Sequence, residues 1–368
     1  MAVFGGLLGL LGLLVGGVVW LLWTRGRDRR FVGQVPGLAP AAGQREIDQA
    51  RPLFTSPDGA VEFVPPDGIR PCQVGTLIDE KADVLDVSAT IVDLAVRKYI
   101  FIEELPRKTW FSSRDWRLTR LDADTEQLLP YERKLYKALV GNRQTVLMSE
   151  LKNKFAASVA SVQEQMYTDV VKQGWFKGRP DKVRGQWTAY GWMLLVAGAG
   201  LTYLLAKYTH LALLGLGVIA GGVVLRLSAK HMPARTPKGS AALARVLGFR
   251  QYIRTAEVDQ LKFEERESIF SRYLPYAIVF GETDRWAKAF ASLAAVPSAG
   301  GVGGTGSALY WYSGPGSWDL GHFGSSMNSF TTQSSGALTS TPGGSGSSGF
   351  GGGGFSGGGG GGGGGGSW

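Results

Sequence analysis

The chain has 368 residues, a formal charge of +9 and a mean hydropathy of zero. This length is sufficient for two or three small domains. The single cysteine, Cys72, excludes an internal disulfide and a thiolate metal cluster, and it agrees with a reducing, cytoplasmic setting for residues 24–186.

Three uncharged apolar stretches dominate the sequence, at residues 2–23, 187–206 and 208–225. Each is about long enough to cross a bilayer, because roughly 20 helical residues span a ~30 Å hydrocarbon core. The sequence therefore predicts a mainly α membrane protein with three transmembrane helices. These form a single helix at residues 2–23 and a transmembrane hairpin at residues 187–227.

The first stretch is predicted to be an N-terminal anchor. No lysine or arginine precedes it and no small-residue cleavage site ends it, although a cleaved signal peptide would need both. The glycines Gly5, Gly9, Gly12 and Gly16 recur at a spacing that permits close helix packing, and self-association of the helix is one explanation for them. The other explanation is that glycine is common in membrane spans generally.

Basic residues lie beside all three apolar stretches and determine the predicted topology. They are Arg25, Arg27, Arg29, Arg30, Lys177, Arg179, Lys182, Arg184, Arg226, Lys230 and Arg235. Because lysine and arginine favour the cytoplasmic side, Met1 and the turn at Lys207 are predicted to lie outside the cell membrane. The bulk of this multi-pass chain and its C-terminus are predicted to be cytoplasmic. Contact with the lipid bilayer explains most of the basic charge, and a nucleic-acid surface is the alternative explanation.

The segment after the first anchor, residues 24–70, is predicted to be an extended cytoplasmic linker. It contains six prolines, which lack an amide donor and fix the backbone angle φ. Such a segment would hold a folded module away from the membrane surface.

Two winged-helix-like units are predicted next, at residues 71–121 and 122–186. In the first, apolar residues recur at helical spacing behind Asp86, which is placed to cap that helix. Strand candidates follow at residues 99–102 and 116–121, and short helices with a two-stranded wing describe a winged helix. The second unit repeats this order, so the region is predicted to be a cytoplasmic α+β tandem module. Four aromatic residues are predicted to be core or wing residues: Trp110, Trp116, Trp175 and Phe176.

The C-terminal part is predicted to contain cytoplasmic amphipathic helices at residues 235–293 and a tail at residues 294–368. The very apolar run at residues 273–281 is too short to span a bilayer. It is expected to lie at the membrane interface or to pack on the winged helices. Glycine and serine dominate the tail, and they bury little surface while losing much backbone entropy on ordering. The tail is therefore predicted to be disordered.

A series of short motifs resembles a known family. The motifs are residues 66–71 (PDGIRP), 88–97 (SATIVDLAVR), 247–250 (LGFR), 255–257 (TAE), 261–264 (LKFE), 272–277 (RYLPYA), 280–281 (FG), 284–287 (DRWA) and the glycine-rich tail ending in Ser367 and Trp368. Together they resemble the C-terminal part of the YciQ-like predicted bacterial membrane proteins, a family defined by a domain of unknown function. Members carry a signal peptide and an extracytoplasmic β-rich domain before the first span, and this chain departs from that pattern by starting at the span. The resemblance implies no activity and no catalytic residues.

The sequence predicts no catalytic, cofactor-binding or metal-binding residue. Residues 301–306 match the dinucleotide pattern G-x-G-x-x-G, but a phosphate site needs a strand before the pattern and a helix after it. The histidines His210, His231 and His322 fall in separate predicted compartments, which argues against a metal site or an acid–base pair. The protein is therefore predicted not to be an enzyme. An enzyme site around residues 272–286 is an alternative that no motif supports.

The winged helices provide the only functional signal. Their candidate interaction residues are Arg97, Lys98, Lys172 and Gln173. Asp93, Glu164 and Asp169 lie among these residues, so neither helix has the concentrated basic face that reading of DNA requires. The sequence favours a non-enzymatic, membrane-anchored scaffold with a cytoplasmic module that docks a protein partner. A membrane-tethered DNA-binding regulator is the alternative.

Overall fold

The computed structural model describes residues 2–31, 48–50, 60–107, 113–209, 211–255, 263–290, 309–315 and 320–341. These residues form the α-helices α1 (Ala2–Arg25), α2 (Pro71–Asp79), α3 (Val84–Val96), α4 (Pro130–Leu139), α5 (Ala156–Lys172), α6 (Pro180–Tyr208), α7 (Ala212–Ser228), α8 (Pro237–Thr255), α9 (Phe263–Phe280), α10 (Thr283–Ala289) and α11 (Leu320–Thr339). They also form the strands β1 (Arg29–Phe31), β2 (Asp48–Ala50), β3 (Ile100–Leu105), β4 (Asp115–Arg120), β5 (Thr145–Leu147) and β6 (Tyr312–Ser313). The prediction of a mainly helical protein is confirmed.

One small mixed sheet contains four of the strands, in the order β5–β4–β3–β6. β3 and β4 form an antiparallel hairpin in which Ile102 pairs with Leu118, and β5 extends the hairpin by pairing Val146 with Leu118. β6 joins the other edge parallel to β3, with Tyr312 opposite Ile102. Alternate residues of β3 are buried, as the period of two in a strand requires. β1 and β2 form a separate antiparallel pair.

This sheet joins the two predicted winged-helix-like units. The strands predicted at residues 99–102 and 116–121 are confirmed as β3 and β4, but β5 belongs to the second predicted unit and pairs with β4 of the first. A single hydrophobic core also continues from Ile69 to Leu338 and includes side chains of α8 to α11. The tandem winged-helix module is therefore not confirmed, because one sheet and one core cross the boundary between residues 121 and 122.

The start of α3 differs from the prediction in one respect. The residue that caps the helix is Asp83, and the buried carboxylate of Asp86 lies three residues inside. An oxygen of Asp86 accepts a hydrogen bond from the Asp83 N–H at 2.9 Å, so Asp86 satisfies an amide at the helix start from within the first turn. The helix ends at Val96, which places Asp93 and Arg97 together at its C-terminal end.

The tail is the largest departure from the sequence-based expectation. Residues 309–315 and 320–341 are ordered as β6, its flanking residues and α11, whereas residues 294–368 were predicted to be disordered. The remaining tail residues lie outside the described part of the chain. α11 buries four large apolar side chains at helical spacing: Phe323, Met327, Phe330 and Leu338. Their burial offsets the entropy cost of ordering a glycine- and serine-rich segment. The average composition of the tail does not reveal these four side chains.

Part of the predicted linker is also packed. Residues 60–70 contact the globular domain, where Pro65 and Pro66 are buried. Glu62 forms an ion pair with Arg245 of α8 at 2.9 Å. The prediction of a loose tether is therefore wrong for residues 60–70. Residues 32–47 and 51–59 lie outside the described part of the chain.

The apolar run at residues 273–281 packs inside the globular domain. It forms the C-terminal half of α9, which contacts α2 and α3, and Leu274 and Ala277 are fully buried. Of the two predicted positions, packing on the helices is confirmed and the membrane interface is wrong. The aromatic residues predicted for the core are confirmed at Trp116, Trp175 and Phe176, and Trp110 lies outside the described residues.

Two helical segments, Pro180–Tyr208 and Ala212–His231, are long and apolar enough to cross a membrane. They form an antiparallel hairpin in which glycines permit close contact. A Cβ added at Gly198 would lie 2.8 Å from the backbone nitrogen of Ile219, and one added at Gly222 would lie 2.9 Å from that of Leu195. α6 begins at Pro180, before the predicted start of the span, so the hairpin and the globular domain share one continuous helix.

α1 is helical and apolar, and it packs beside α7. Gly221 of α7 faces Leu14 of α1 at this contact. Within the described residues, nothing lies within 4 Å of a Cβ added at Gly9, Gly12 or Gly16. Crossing of the membrane by α1 and self-association through its glycines therefore stay predictions.

Candidate functional site

The described part of the globular domain contains an open groove lined by arginine side chains. Two adjoining cavities, of about 400 Å³ and 620 Å³, share Arg70, Val96 and Arg97 as lining residues. The larger one continues to Arg272 on α9, and the smaller one continues to Lys98. We call this continuous feature the arginine groove.

The position of Arg70 is fixed by the turn before α2. Gly68 has a φ of +74°, which glycine adopts without strain, and the Ile69 N–H donates to the Pro66 carbonyl at 3.1 Å to close the turn. The Tyr276 hydroxyl of α9 donates to the Ile69 carbonyl at 2.8 Å and holds this turn against the domain. The Arg70 N–H donates to the Gln73 side chain at 2.7 Å. This hydrogen bond fixes Arg70 directly before the first turn of α2, where it lines the groove.

Arg97 is held at the floor of the groove by two carboxylates. Its Nη2 atom lies 2.7 Å from Glu132 and 2.7 Å from Asp93. Glu132 is fully buried, and it also accepts a hydrogen bond from the Leu129 N–H at 2.9 Å. Burial raises the pKa of Asp93 above its usual range, and the Arg97 guanidinium opposes this rise. Arg97 is therefore a fixed cation at the floor of the groove, and its charge is partly compensated by the two carboxylates.

The other cations of the groove have more available charge. The Arg70 side chain is 39% exposed and approaches Glu132 only to 3.8 Å, which leaves most of its donors free to bind a ligand. Arg272 is exposed and has no carboxylate within 4 Å among the described residues. The Lys98 ammonium lies 5.2 Å from the centre of the Tyr310 ring. Four cationic side chains and two carboxylates, Asp67 and Asp93, line the groove, which gives it the character of an anion-binding site.

One wall of the groove comes from the ordered part of the tail. The Tyr310 hydroxyl donates to the Val96 carbonyl at 2.9 Å, across the end of α3. The neighbouring Trp311 is fully buried, and its indole N–H donates to Ser271 of α9 at 3.0 Å. Buried tryptophan anchors Tyr310 beside the cations, so the tail completes the groove.

The predicted interaction residues divide between two places. Arg97 and Lys98 line the groove, whereas Lys172 and Gln173 lie at the end of α5 and do not line it. The predicted interaction residues did not include four residues of the groove: Arg70, Arg272, Tyr276 and Tyr310. Arg272 and Tyr276 do fall within residues 272–286, which the sequence analysis considered only as an alternative enzyme site. The available signal was the set of family motifs, because residues 66–71, 88–97 and 272–277 all converge on this groove.

A second charged cluster lies where the globular domain meets the apolar helices. Arg235, predicted from the sequence as a topology-determining flank residue, is 8% exposed and forms ion pairs with Asp28 at 3.0 Å and Glu80 at 3.1 Å. Its guanidinium also donates to the carbonyls of Leu77 and Ile78, each at 2.8 Å. Arg235 is therefore a buried structural residue that connects the end of α1, the end of α2 and the chain after α7.

The other flanking basic residues have varied surroundings. Arg179 pairs with Glu164 and Asp181, and Arg184 donates to the Glu80 carbonyl at 2.7 Å. The guanidinium of Arg27 lies over the Trp23 ring, and that of Arg226 lies over the Trp192 ring. The backbone N–H of Arg29 donates to the Arg235 carbonyl. The remaining ones are exposed: Arg25, Arg30, Lys177, Lys182 and Lys230.

Glu80 gives the cluster a pH dependence. Burial raises the pKa of Glu80 from 4.5 to about 7, and the Arg235 guanidinium opposes this rise. The folded protein then binds the Glu80 proton more tightly than the unfolded chain does, so the free energy of unfolding falls as the pH rises from about 4.5 to about 7. A difference of this size corresponds to about 3 kcal/mol. We expect Glu80→Gln to remove this part of the dependence, measured by urea unfolding of the full chain in detergent at pH 5 and pH 7.5. An unchanged slope with pH would contradict this prediction.

Comparison with known proteins adds a family to this description. A family model described as the C-terminal domain of predicted membrane protein (DUF2207) matches residues 60–290, which is more than half of the chain. The chain belongs to this family. The match agrees with the resemblance carried by the sequence motifs, and it includes Arg70, Arg97 and Arg272 of the arginine groove. No curated protein and no solved structure matches the chain.

Proposed function

We propose that the protein is a non-enzymatic, membrane-anchored docking module whose arginine groove binds an acidic segment of a protein partner. The observation that carries the proposal is the set of three guanidinium groups, those of Arg70, Arg97 and Arg272, along one open groove. A guanidinium group presents paired N–H donors that match the two oxygens of a carboxylate, which gives orientation as well as affinity.

The form of the groove favours an extended peptide over a small molecule. A small ligand usually lies in an enclosed pocket that covers most of its surface. This groove is instead open and consists of two cavities in succession, with Lys98 in one and Arg272 in the other. An extended chain that carries several acidic side chains would contact these cations in turn. The tyrosine rings of Tyr276 and Tyr310 supply apolar walls between the charges.

The anchor supports docking at a defined place. α6 continues without interruption from the globular domain into the apolar hairpin, and Arg235 fixes the domain to the ends of α1 and α7. This connection would keep the groove at a constant height above the bilayer. The topology predicted from the basic flanks puts the domain, and hence the partner, in the cytoplasm.

The test uses the full-length chain in lipid nanodiscs and a fluorescent octaglutamate peptide. We expect saturable binding that weakens as the salt concentration rises, because salt screens exposed charges. The double variant R70A/R272A is expected to bind about tenfold more weakly or worse, since each lost charged hydrogen bond costs on the order of 1 kcal/mol or more. Both residues are partly or fully exposed, so the variant should keep the fold.

The matched control is the double variant K172A/Q173A, which changes the other predicted surface outside the groove. It is expected to bind the peptide as the parent does. Absence of peptide binding to the parent, or equal weakening by both variants, would overturn the proposal. Tight binding of generic duplex DNA that K172A/Q173A abolishes and R70A/R272A does not would favour the membrane-tethered DNA-binding regulator instead.

A further inference from the structure

A second cavity, which we call the junction pocket, lies between the globular domain and the apolar helices. Its volume is about 410 Å³, and its lining comes from residues 26–28, 78–81 and 230–235 together with Arg184. These segments are the end of α1, the end of α2, the chain that follows α7 and the start of α6. The pocket is therefore built at the end of the helical hairpin that faces the domain.

The charges of the junction pocket are arranged in two parts. The inner wall contains Arg235 with its two carboxylate partners, Asp28 and Glu80, so its cation is already compensated. The rim contains Lys81 and Lys230, which are both exposed, and the exposed carboxylate of Asp79, which accepts a hydrogen bond from the Lys81 backbone N–H at 2.9 Å. Neither lysine ammonium has an ion-pair partner within 4 Å among the described residues. Two lysine ammonium groups thus face one carboxylate, so the net charge of the rim is positive.

Arg184 adds directed donors to this rim. One terminal nitrogen of its guanidinium, Nη2, donates to the Glu80 carbonyl at 2.7 Å, which orients the group across the pocket. A guanidinium has five N–H donors, so the others can still bind a ligand that enters the pocket. Phosphate oxygens accept paired hydrogen bonds from such a guanidinium, and they also accept hydrogen bonds from lysine ammonium groups.

The neighbourhood of the pocket matches the polar edge of a bilayer. Trp187, Tyr190 and Trp192 lie along α6 near this end, and the Arg226 guanidinium of α7 lies 4.9 Å from the centre of the Trp192 ring. Tyr190 and Trp192 are exposed. Exposed tryptophan and tyrosine together with arginine are typical of the depth at which lipid headgroups lie. Basic pockets beside membrane helices at this depth bind anionic headgroups.

We propose that the junction pocket binds the phosphate group of an anionic lipid headgroup, with Lys81, Arg184 and Lys230 as its contacts. The bound headgroup connects α2, α6 and the chain after α7 through a shared anion. The lipid then acts as part of the joint between the hairpin and the globular domain. This site is separate from the arginine groove and does not depend on what the groove binds.

The experiment is native mass spectrometry of the full-length chain in a mild detergent. Phosphatidylglycerol, which is anionic, and phosphatidylcholine, which is neutral overall, are added at equal concentration. We expect preferential retention of phosphatidylglycerol, reduced about fivefold by Lys230→Ala and by a further fivefold when Lys81→Ala is added, as expected for lysines at an anionic surface. The matched control is Lys207→Ala, an exposed lysine at the opposite end of the hairpin, which should not change retention.

Three results would overturn the proposal. The first is equal retention of the two lipids, which would mean that the charge of the headgroup is not recognised. The second is equal loss in Lys207→Ala and Lys230→Ala, which would indicate general charge rather than a pocket. The third is complete displacement of phosphatidylglycerol by the same concentration of inorganic phosphate, which would identify a site for the free anion. Persistence of the lipid under excess inorganic phosphate supports the headgroup.

Discussion

Replacing Phe330 with alanine is expected to lower the free energy of unfolding of the globular domain by about 3–5 kcal/mol. Phe330 is fully buried although it belongs to the glycine- and serine-rich tail, and its ring meets that of Trp116 edge to face at 5.5 Å. The substitution leaves a cavity against Trp116 and removes this aromatic pair. The measurement is urea unfolding of the full chain in detergent, followed by tryptophan fluorescence.

The matched control for Phe330 is Thr332→Ala on the same helix. Thr332 is exposed, and its hydroxyl donates only to the Asn328 carbonyl within α11. Its loss should change stability by less than about 0.5 kcal/mol, as for most surface substitutions. If the two variants unfolded at the same urea concentration, α11 would not be part of the core.

Replacing Arg235 with methionine is expected to destabilise the protein by about 3–5 kcal/mol. The substitution leaves the acidic side chains of Asp28 and Glu80, which are only 19% and 14% exposed, without their shared cation. It also removes the donors for the Leu77 and Ile78 carbonyls. Unfolding of the full chain in detergent measures the loss, and limited proteolysis should show earlier cleavage between the domain and the hairpin.

Two further variants separate charge from packing at this site. The triple variant D28N/E80Q/R235M removes all three charged groups, and it should recover part of the loss because the main cost is that two largely buried acidic groups lose their cation. Arg245→Met breaks the ion pair with Glu62, in which the Arg245 side chain is 30% exposed, and should cost about 1 kcal/mol or less. A triple variant less stable than R235M would contradict the argument.

Local patterns in the sequence were sufficient for the parts of the fold that local interactions determine. The helical spacing of apolar residues before Arg97 predicted α3, and alternation predicted β3 and β4. The pairing of β5 with β4 and of β6 with β3 was not predictable in this way. Those pairings depend on packing between distant segments. The same local order of helices and strands also fits a winged helix, so the local pattern alone could not distinguish the two folds.

The Arg235 cluster and the arginine groove were not predictable from the sequence for a related reason. Arg235 stands close to an apolar stretch, and the sequence shows its charge without showing that Asp28 and Glu80 surround it. The arginine groove combines Arg70 and Arg272, which are some two hundred residues apart, so only the family motifs pointed to both. The composition of the tail was misleading, because an average over glycine and serine hides a few large apolar residues at helical spacing.

The position of α11 in the chain has a consequence for biosynthesis. A ribosome makes the apolar helices α1, α6 and α7 before it makes α11, which covers α3 and α10. Until the ribosome has released α11, the side of Trp116 that contacts Phe330 stays exposed. The domain therefore completes its folding only after the apolar helices have been synthesised. A stall in translation before that point leaves apolar surface beside the membrane, where chaperones and proteases recognise incomplete chains.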